Sequence, residues 1–545
     1  MKQILSTLAL LIAVYVAQAA APVKTISGNL TGTINWSNDT IYLLSGKVYV
    51  KAGATLNIAA GTIIKGDKSV AGSTLVITRG AQIYAIGTAS QPIVFTSSET
   101  PGNRATADWG GLVIEGNARV NVPGGIGTVE GGNLANPDGT TSDGQYGGLN
   151  DLDNSGELRY VRIEYAGFPF APNNELNGLT LAGVGSGTKL SYIQVSYGFD
   201  DAFEFFGGTV NADHLISFRG NDDDFDTDFG FSGKVQFGVA LRDTAVADAV
   251  SGANGFESDN DANGSALGPK TSATFSNMTI LGPQQTATTT INTAFKRGAH
   301  IRRNSEQSIF NSIFMGWPVG VKIDGDSCHR NADSNWLKVM NCVIAGSAMN
   351  LDSSAGGTWN ITPWYETAAY SNTTYAANSA VMLTSPWSYT APDFRPAAGS
   401  PVLTGASFTD PKLASGFDNT PTYRGAFGTT NWTAGWANFN PDAEPYTDGY
   451  YATGVNDLNT LKIDLSIVPN PSQAQSSVFF TLKENTSITL EVIDINGKVI
   501  ATSKENLNKG YNSMKVNTQN LSNGLYFVKL SGTNVTATEK LTVIH

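Results

Sequence analysis

Residues 222–231 read DDDFDTDFGF, with Asp222, Asp224, Asp226 and Asp228 on one parity and Phe225, Thr227, Phe229 and Phe231 on the other. That is the period of a strand with a carboxylate face and an aromatic face. Twenty-two residues earlier the phrase occurs in weaker form: Ile193, Gly198, Asp200, Asp201, Phe203 and Glu204 fall over Leu215, Gly220, Asp222, Asp223, Phe225 and Asp226. A repeat of that length sets acid over acid and Phe over Phe. It predicts coils stacked along one axis, and so an all-β chain built as a right-handed parallel β-helix.

Working outward, the same signal recurs at other spacings. Gly53, Leu56, Ile58, Gly61 and Ile64 return after 19 residues as Gly72, Leu75, Ile77, Gly80 and Ile83. Leu158, Tyr160, Val161, Ile163 and Tyr165 return after 32 as Leu190, Tyr192, Ile193, Val195 and Tyr197. FSNMTILG, IFNSIFMG and VMNCVIAG place Asn277, Asn311 and Asn341 at one corner, which suits either a ladder of side-chain amides or a left-handed turn. The β-helix is expected over 23–440. It is interrupted by a long loop at 121–156, poor in apolar residues, and closed by an aromatic cap at 347–440 that holds Trp359, Trp364, Trp387, Trp432 and Trp436. Exposed Trp would also suit sugar stacking.

Composition narrows the partners. With 59 Gly among 545 residues and a net charge of −12, the chain is turn-rich and acidic, which disfavours nucleic acid and anionic membranes and suits divalent cations. Residues 1–20 carry Lys2, an apolar run and Ala17-Gln18-Ala19, the pattern of a cleaved secretory signal peptide. No later apolar run reaches the length of a membrane span. Cys328 and Cys342 are the only two cysteines, and an exported chain permits either a disulfide or two buried thiols.

A polar stretch at 441–462 marks a linker, and 463–545 alternates strongly enough to predict a small antiparallel β-sandwich of Ig-like type. Within it, Pro469-Asn470-Pro471, Asp494-Ile495-Asn496-Gly497-Lys498, the run Gly524-Leu525-Tyr526-Phe527-Val528-Lys529 and the ending around Lys540 resemble the type A sorting domains of the type IX secretion system. The resemblance implies handling by that machinery and delivery to the outer-membrane surface or the medium. The region from Ser45 to about Pro441 resembles a group of secreted β-helix proteins with the same sorting domain, through LSGKVYVKAGATL, NGFESDND and YRGAFG.

Stacked coils lie about 4.8 Å apart, so Asp200 over Asp222, Asp201 over Asp223 and Glu204 over Asp226 each cost about 1 to 4 kcal/mol in repulsion. Protons or cations must offset that. Calcium, which takes oxygens at about 2.3–2.6 Å, is the expected ion, with Asp200, Asp201, Glu204, Asp222, Asp224, Asp226 and Asp228 as ligands. Asp259, Asp261 and Asn263 before Gly264, and Asp151 and Asp153 before Ser155-Gly156, copy the first half of a calcium loop; each is equally an Asx turn, since Lys270 and Arg162 stand where the closing Glu belongs. The expected function is an exported, calcium-stabilised surface or secreted protein that binds carbohydrate or another surface. The alternative is a calcium-dependent polysaccharide lyase or glycoside hydrolase, with Arg219, Lys234 or Arg242 as base. His300 lies far beyond Asp224 in the sequence and is expected too many coils away to share the acidic site.

Overall fold

The computed structural model describes residues 21–130, 142–171, 174–354, 357–447, 461–462, 465–482, 484–495, 498–532 and 535–545. The signal segment 1–20, the middle of the long loop, most of the linker and Gly497 lie outside these residues. The chain forms two compact units, Met1–Tyr451 and Ala452–His545.

The first unit is a parallel β-helix whose strands form one continuous 27-stranded sheet wound into three faces. The first face runs through Thr74–Ile77, Gly111–Glu115, Leu179–Ala182, Phe203–Phe206, Phe225–Asp228, Phe256–Ser258, Arg297–Ile301 and Val319–Ile323. The predicted acidic register holds: Ile193 pairs with Leu215, Phe203 with Phe225 and Glu204 with Asp226. Phe203, Phe225 and Phe256 stack inward at 5.3 and 5.4 Å, each fully buried. Such rings dominate core energetics through the area they remove from water.

The longer repeat, from Leu158 to Leu190, is also a true register, with Leu158 on Leu190 and Ile163 on Val195. The repeat from Leu56 to Leu75 is not. Leu56 pairs instead with Ile83, and Val48 with Leu75, so the coil there is longer than that repeat, and the likeness links strands on different faces.

Four long strands, Gly156–Glu164, Lys189–Ser196, Asn211–Phe218 and Lys234–Leu241, pass through the corner between the second and third faces. The corner residues Tyr160, Tyr192, His214 and Phe237 have φ of 51°, 55°, 55° and 61°. Left-handed backbone costs a non-glycine residue about 1–2 kcal/mol, and the rings offset it by stacking at 4.5, 4.3 and 4.9 Å. On the next coils the same corner holds Asn277, Asn311 and Asn341, at φ of 54°, 52° and 56°. Their recurrence therefore follows the left-handed turn. The amides of Asn277 and Asn311 donate to Tyr423 O and Ser407 O instead of forming a ladder with each other.

The aromatic segment does more than close the end. Ile361, Trp364 and Tyr365 join the interior core, whereas Val381, Phe394, Val402, Phe427 and Trp436 pack outside Ile216, Val239, Leu281, Ile313 and Val343 on the third face. The chain thus runs back along the helix as a strap, ending with Tyr446 beside Ile41, Ile63 and Val94. Trp387, Trp432 and Trp436 donate their indole N–H groups to Gly282 O, Ala426 O and Trp432 O. Cys328 and Cys342 are buried free thiols, which burial pushes up to about 12. No helix among the described residues is long and apolar enough to cross a membrane.

The second unit pairs a five-stranded sheet with a three-stranded one over a core that includes Val478, Leu490, Val528 and Leu541. Asn470, between Pro469 and Pro471, donates to Lys540 O and accepts from Thr542 N, tying the motif to the last strand, Val535–Val543. Lys498 N donates to Asp494, Gly524 opens the strand Gly524–Gly532, and the Tyr526 hydroxyl donates to Ser522 O.

Candidate metal centre

On the first face, inward side chains build the core and outward ones form columns, because successive residues of a strand point to opposite sides. One column is read directly from the register: Tyr49, Val76, Val113, Thr180, Glu204, Asp226, Glu257, His300, Lys322 and Asp352. Its first members lie under the described part of the long loop, where Val120, Val129 and Tyr146 form a small apolar core with Tyr49, Val76, Val113 and Phe206. Where that cover ends, a cavity of about 710 Å³ opens over the acidic coils. Glu130 of the loop and Glu175 lie on its wall with ten further carboxylates, among them Asp200, Asp201, Glu204, Asp222, Asp223, Asp226, Asp228, Glu257 and Asp259; the basic residues among its described lining are Arg302 and Arg303.

At the corner before the strands a ladder fixes the acids. Asn177 accepts the N–H of Asp201 at 3.1 Å, Asp201 accepts that of Asp223 at 2.8 Å, and Asp223 accepts that of Asn254. The Asn254 side-chain amide also donates to Asp223, at 3.1 Å to the same oxygen and at 3.4 Å to the other. Three sets of oxygens converge: Asp200, Asp201 and Asp222; Asp201, Glu204 and Asp226; Asp223, Asp226 and Glu257, each set within 4.8 Å. Two oxygens on one calcium ion can be no farther apart than about 5 Å, twice the ion–oxygen distance. Glu204 is 2 % exposed, yet its Oε1 has no hydrogen-bond partner among the described residues, and neither have Asp222 Oδ1 and Asp226 Oδ1. Buried polar atoms without a partner are rare and costly.

Burial first, and then the neighbouring carboxylates, push Asp200, Asp201, Glu204, Asp223, Asp226 and Asp228 well above the usual carboxylate range. Burial raises Asp222 to about 7. Glu257 behaves oppositely: burial raises it, but the His300 hydrogen bond and the Arg302 charge outweigh that and hold it low. Arg302 bridges Glu257 and Asp259, meeting the latter at 2.9 and 3.1 Å, while Arg303 meets Asp259 at 2.7 Å.

Several predicted ligands lie elsewhere. Asp224 precedes the strand Phe225–Asp228, so the alternation does not extend to it. It turns away from the cavity to a fully buried pair with Arg242 at 3.0 Å, and it also accepts from the Ser217 hydroxyl. Asp261 accepts the backbone N–H groups of Asn263 and Ser265, the Asx-turn alternative, and Asn263 is exposed. Asp151 pairs with Arg119, and Asp153 accepts from Asn117 and Ser155. The proposed bases are engaged: Arg219 with Asp243, Arg242 with Asp224 and Lys234 with Ser415. Conversely, His300 does reach the acidic site. It sits one coil beyond Glu257, with Nδ1 3.5 Å from that carboxylate and Nε2 3.0 Å from Asp324. The later coils carry long loops, so the stretch of sequence between Asp224 and His300 spans few coils.

Residues 28–391, more than half of the chain, match the family model described as a pectate-lyase-like β-helix domain. Residues 466–544 match the secretion system C-terminal sorting domain. No curated protein matches in sequence. Among solved structures, full-length tailspike protein 2 of an Escherichia coli O157:H7 bacteriophage is similar at 11% identity and a TM-score of 0.18, with 92% of this chain and 64% of that chain covered. The enzymatically active domain of a bacteriophage tailspike protein 2 gives 11% and 0.20, with 92% and 72% covered. The chain thus spans just under two thirds of the full-length tailspike.

Proposed function

The chain belongs to the pectate-lyase-like β-helix family and carries a type IX sorting domain that sends it to the cell surface or beyond; from that premise we propose that it binds calcium in the cleft of the first face and uses the loaded face to hold an extracellular carbohydrate or another surface. The observation that carries this reading is the set Asp201–Glu204–Asp226, which holds the buried, unpartnered Glu204 Oε1 and shares Asp201 and Asp226 with the two neighbouring sets. Protons could also quiet the repulsion, but the sets match the span of a calcium shell, and an exported protein meets that ion continuously. Three carboxylates leave part of a shell of 6–8 oxygens to water and to a ligand in the cavity.

Calorimetric calcium titration of the full chain tests the metal; wild type should bind and Glu204→Gln should lose at least tenfold in affinity. A glycan-binding screen with and without chelator tests the ligand, and binding indifferent to chelation would separate the face from the ion. One observation favours a catalytic second reading, the placement of His300 beside Glu257 one coil from Asp226. Turnover of an acidic or neutral polysaccharide, abolished by His300→Gln, would replace the binding-only reading.

A further inference from the structure

The three carboxylate sets differ in one respect. Described basic side chains meet none of the carboxylates of the first two, Asp200–Asp201–Asp222 and Asp201–Glu204–Asp226, in an ion pair. The third, Asp223–Asp226–Glu257, is entered by Arg302, whose guanidinium contacts Glu257 Oε2 and at the same time grips Asp259 with Nε and Nη2. His300 closes on Glu257 from the next coil. A guanidinium held by two carboxylates in a fork is a strong, always-charged partner.

Resting on the reading of the cleft as a calcium site, we propose that Arg302 is a tethered cation that takes the place of a metal in the third set, so that the native cleft loads ions only in the other two. The backbone supports this. Ser258 O accepts the N–H of Arg302, which puts the side chain one coil above Asp259 and directs it back over Glu257. The arrangement grades the cleft along the helix axis, from coils that need an external cation to a coil that supplies its own.

The test is the calcium stoichiometry of the full chain, by calorimetry and by metal analysis after desalting. Wild type should take two ions, the three sets less the one that Arg302 fills. Glu257→Gln, a mild substitution that keeps shape, should still take two with affinity changed less than about threefold. Arg302→Gln should take three, and Arg302→Gln with Glu257→Gln should return to two. Loss of an ion in Glu257→Gln would overturn the proposal, because that set would then be a metal site in the wild type. A folded Arg302→Gln that still takes two would overturn it as well. If Arg302→Gln does not fold, Glu257→Gln alone decides. A wild type that takes up no ion overturns both this and the reading of the cleft, whereas two ions throughout overturns only the tethered cation.

Discussion

The outward column of the first face is one continuous register, yet its two ends are built on different physics. At Tyr49, Val76 and Val113 the side chains are apolar, nearly fully buried and roofed by Val120, Val129 and Tyr146. At Glu204, Asp226 and Glu257 the same positions of the same scaffold carry carboxylates beneath a cavity. The apolar end stabilises itself by removing area from water, at about 25 cal/mol per Å². The acidic end sets like charges about 4.8 Å apart with nothing apolar in return. Protons or an added cation must offset that, and at the Glu257 end the chain supplies a cation of its own in Arg302. Between the two ends lies Thr180, buried, with its hydroxyl unpartnered among the described residues.

The comparison can be broken at several points. The largest effect should come from neither end but from the buried Asp224–Arg242 pair: Arg242→Ala leaves an uncompensated carboxylate and should cost about 3–5 kcal/mol by denaturant unfolding, with or without calcium. Equal calcium sensitivity in that variant and wild type would show that Asp224 is no ligand. Next, Val76→Thr puts an unpaired hydroxyl into the roofed end and should cost about 1–3 kcal/mol, again unaffected by calcium. Asp226→Asn should behave in the opposite sense to a core change. In chelator it should gain about 1–3 kcal/mol from relieved repulsion, and in calcium it should fall below wild type. A loss in both conditions would mean that Asp226 is structural.

The last effect is a pH slope. A carboxylic acid whose folded pKa is raised binds protons more tightly in the folded state, so stability falls as pH rises from the unfolded to the folded value. For Asp222, raised by burial to about 7, the window runs from about pH 4 to 7. Without calcium the melting temperature should decline across it, and calcium should flatten the decline.

How much of this was legible varies with the residue. Phe203, Phe225, Glu204 and Asp226 are legible in the sequence because the coil from Glu204 to Asp226 is short and free of inserted loops, so the repeat shows. Phe256-Glu257 is a third copy of the Phe-acid step, but the coil from Asp226 to Glu257 is longer and breaks the count, which hides Glu257 from the repeat. The same holds for His300, whose distance in sequence overstates its distance in space, since inserted loops change the count without changing the stack. Asp224 fits the alternation in sequence, but it lies before the start of the strand, where the corner turns its side chain toward Arg242. The strap could not be read from its Trp residues, because packing along a face and capping an end call for the same apolar side chains.

Hydrogen exchange of the full chain, with calcium and with chelator, tests the central claim most directly. Amides of the strands Phe203–Phe206 and Phe225–Asp228 should lose protection when calcium is removed, while Thr55–Ile58, Thr74–Ile77 and Gln82–Ile86 keep theirs. The expected scale is about 2.7 kcal/mol for an ion at 100 times its dissociation constant, a change of about a hundredfold in exchange rate. Equal protection of both regions in the two conditions would contradict the account, and the acidic coils would then be stable on their own.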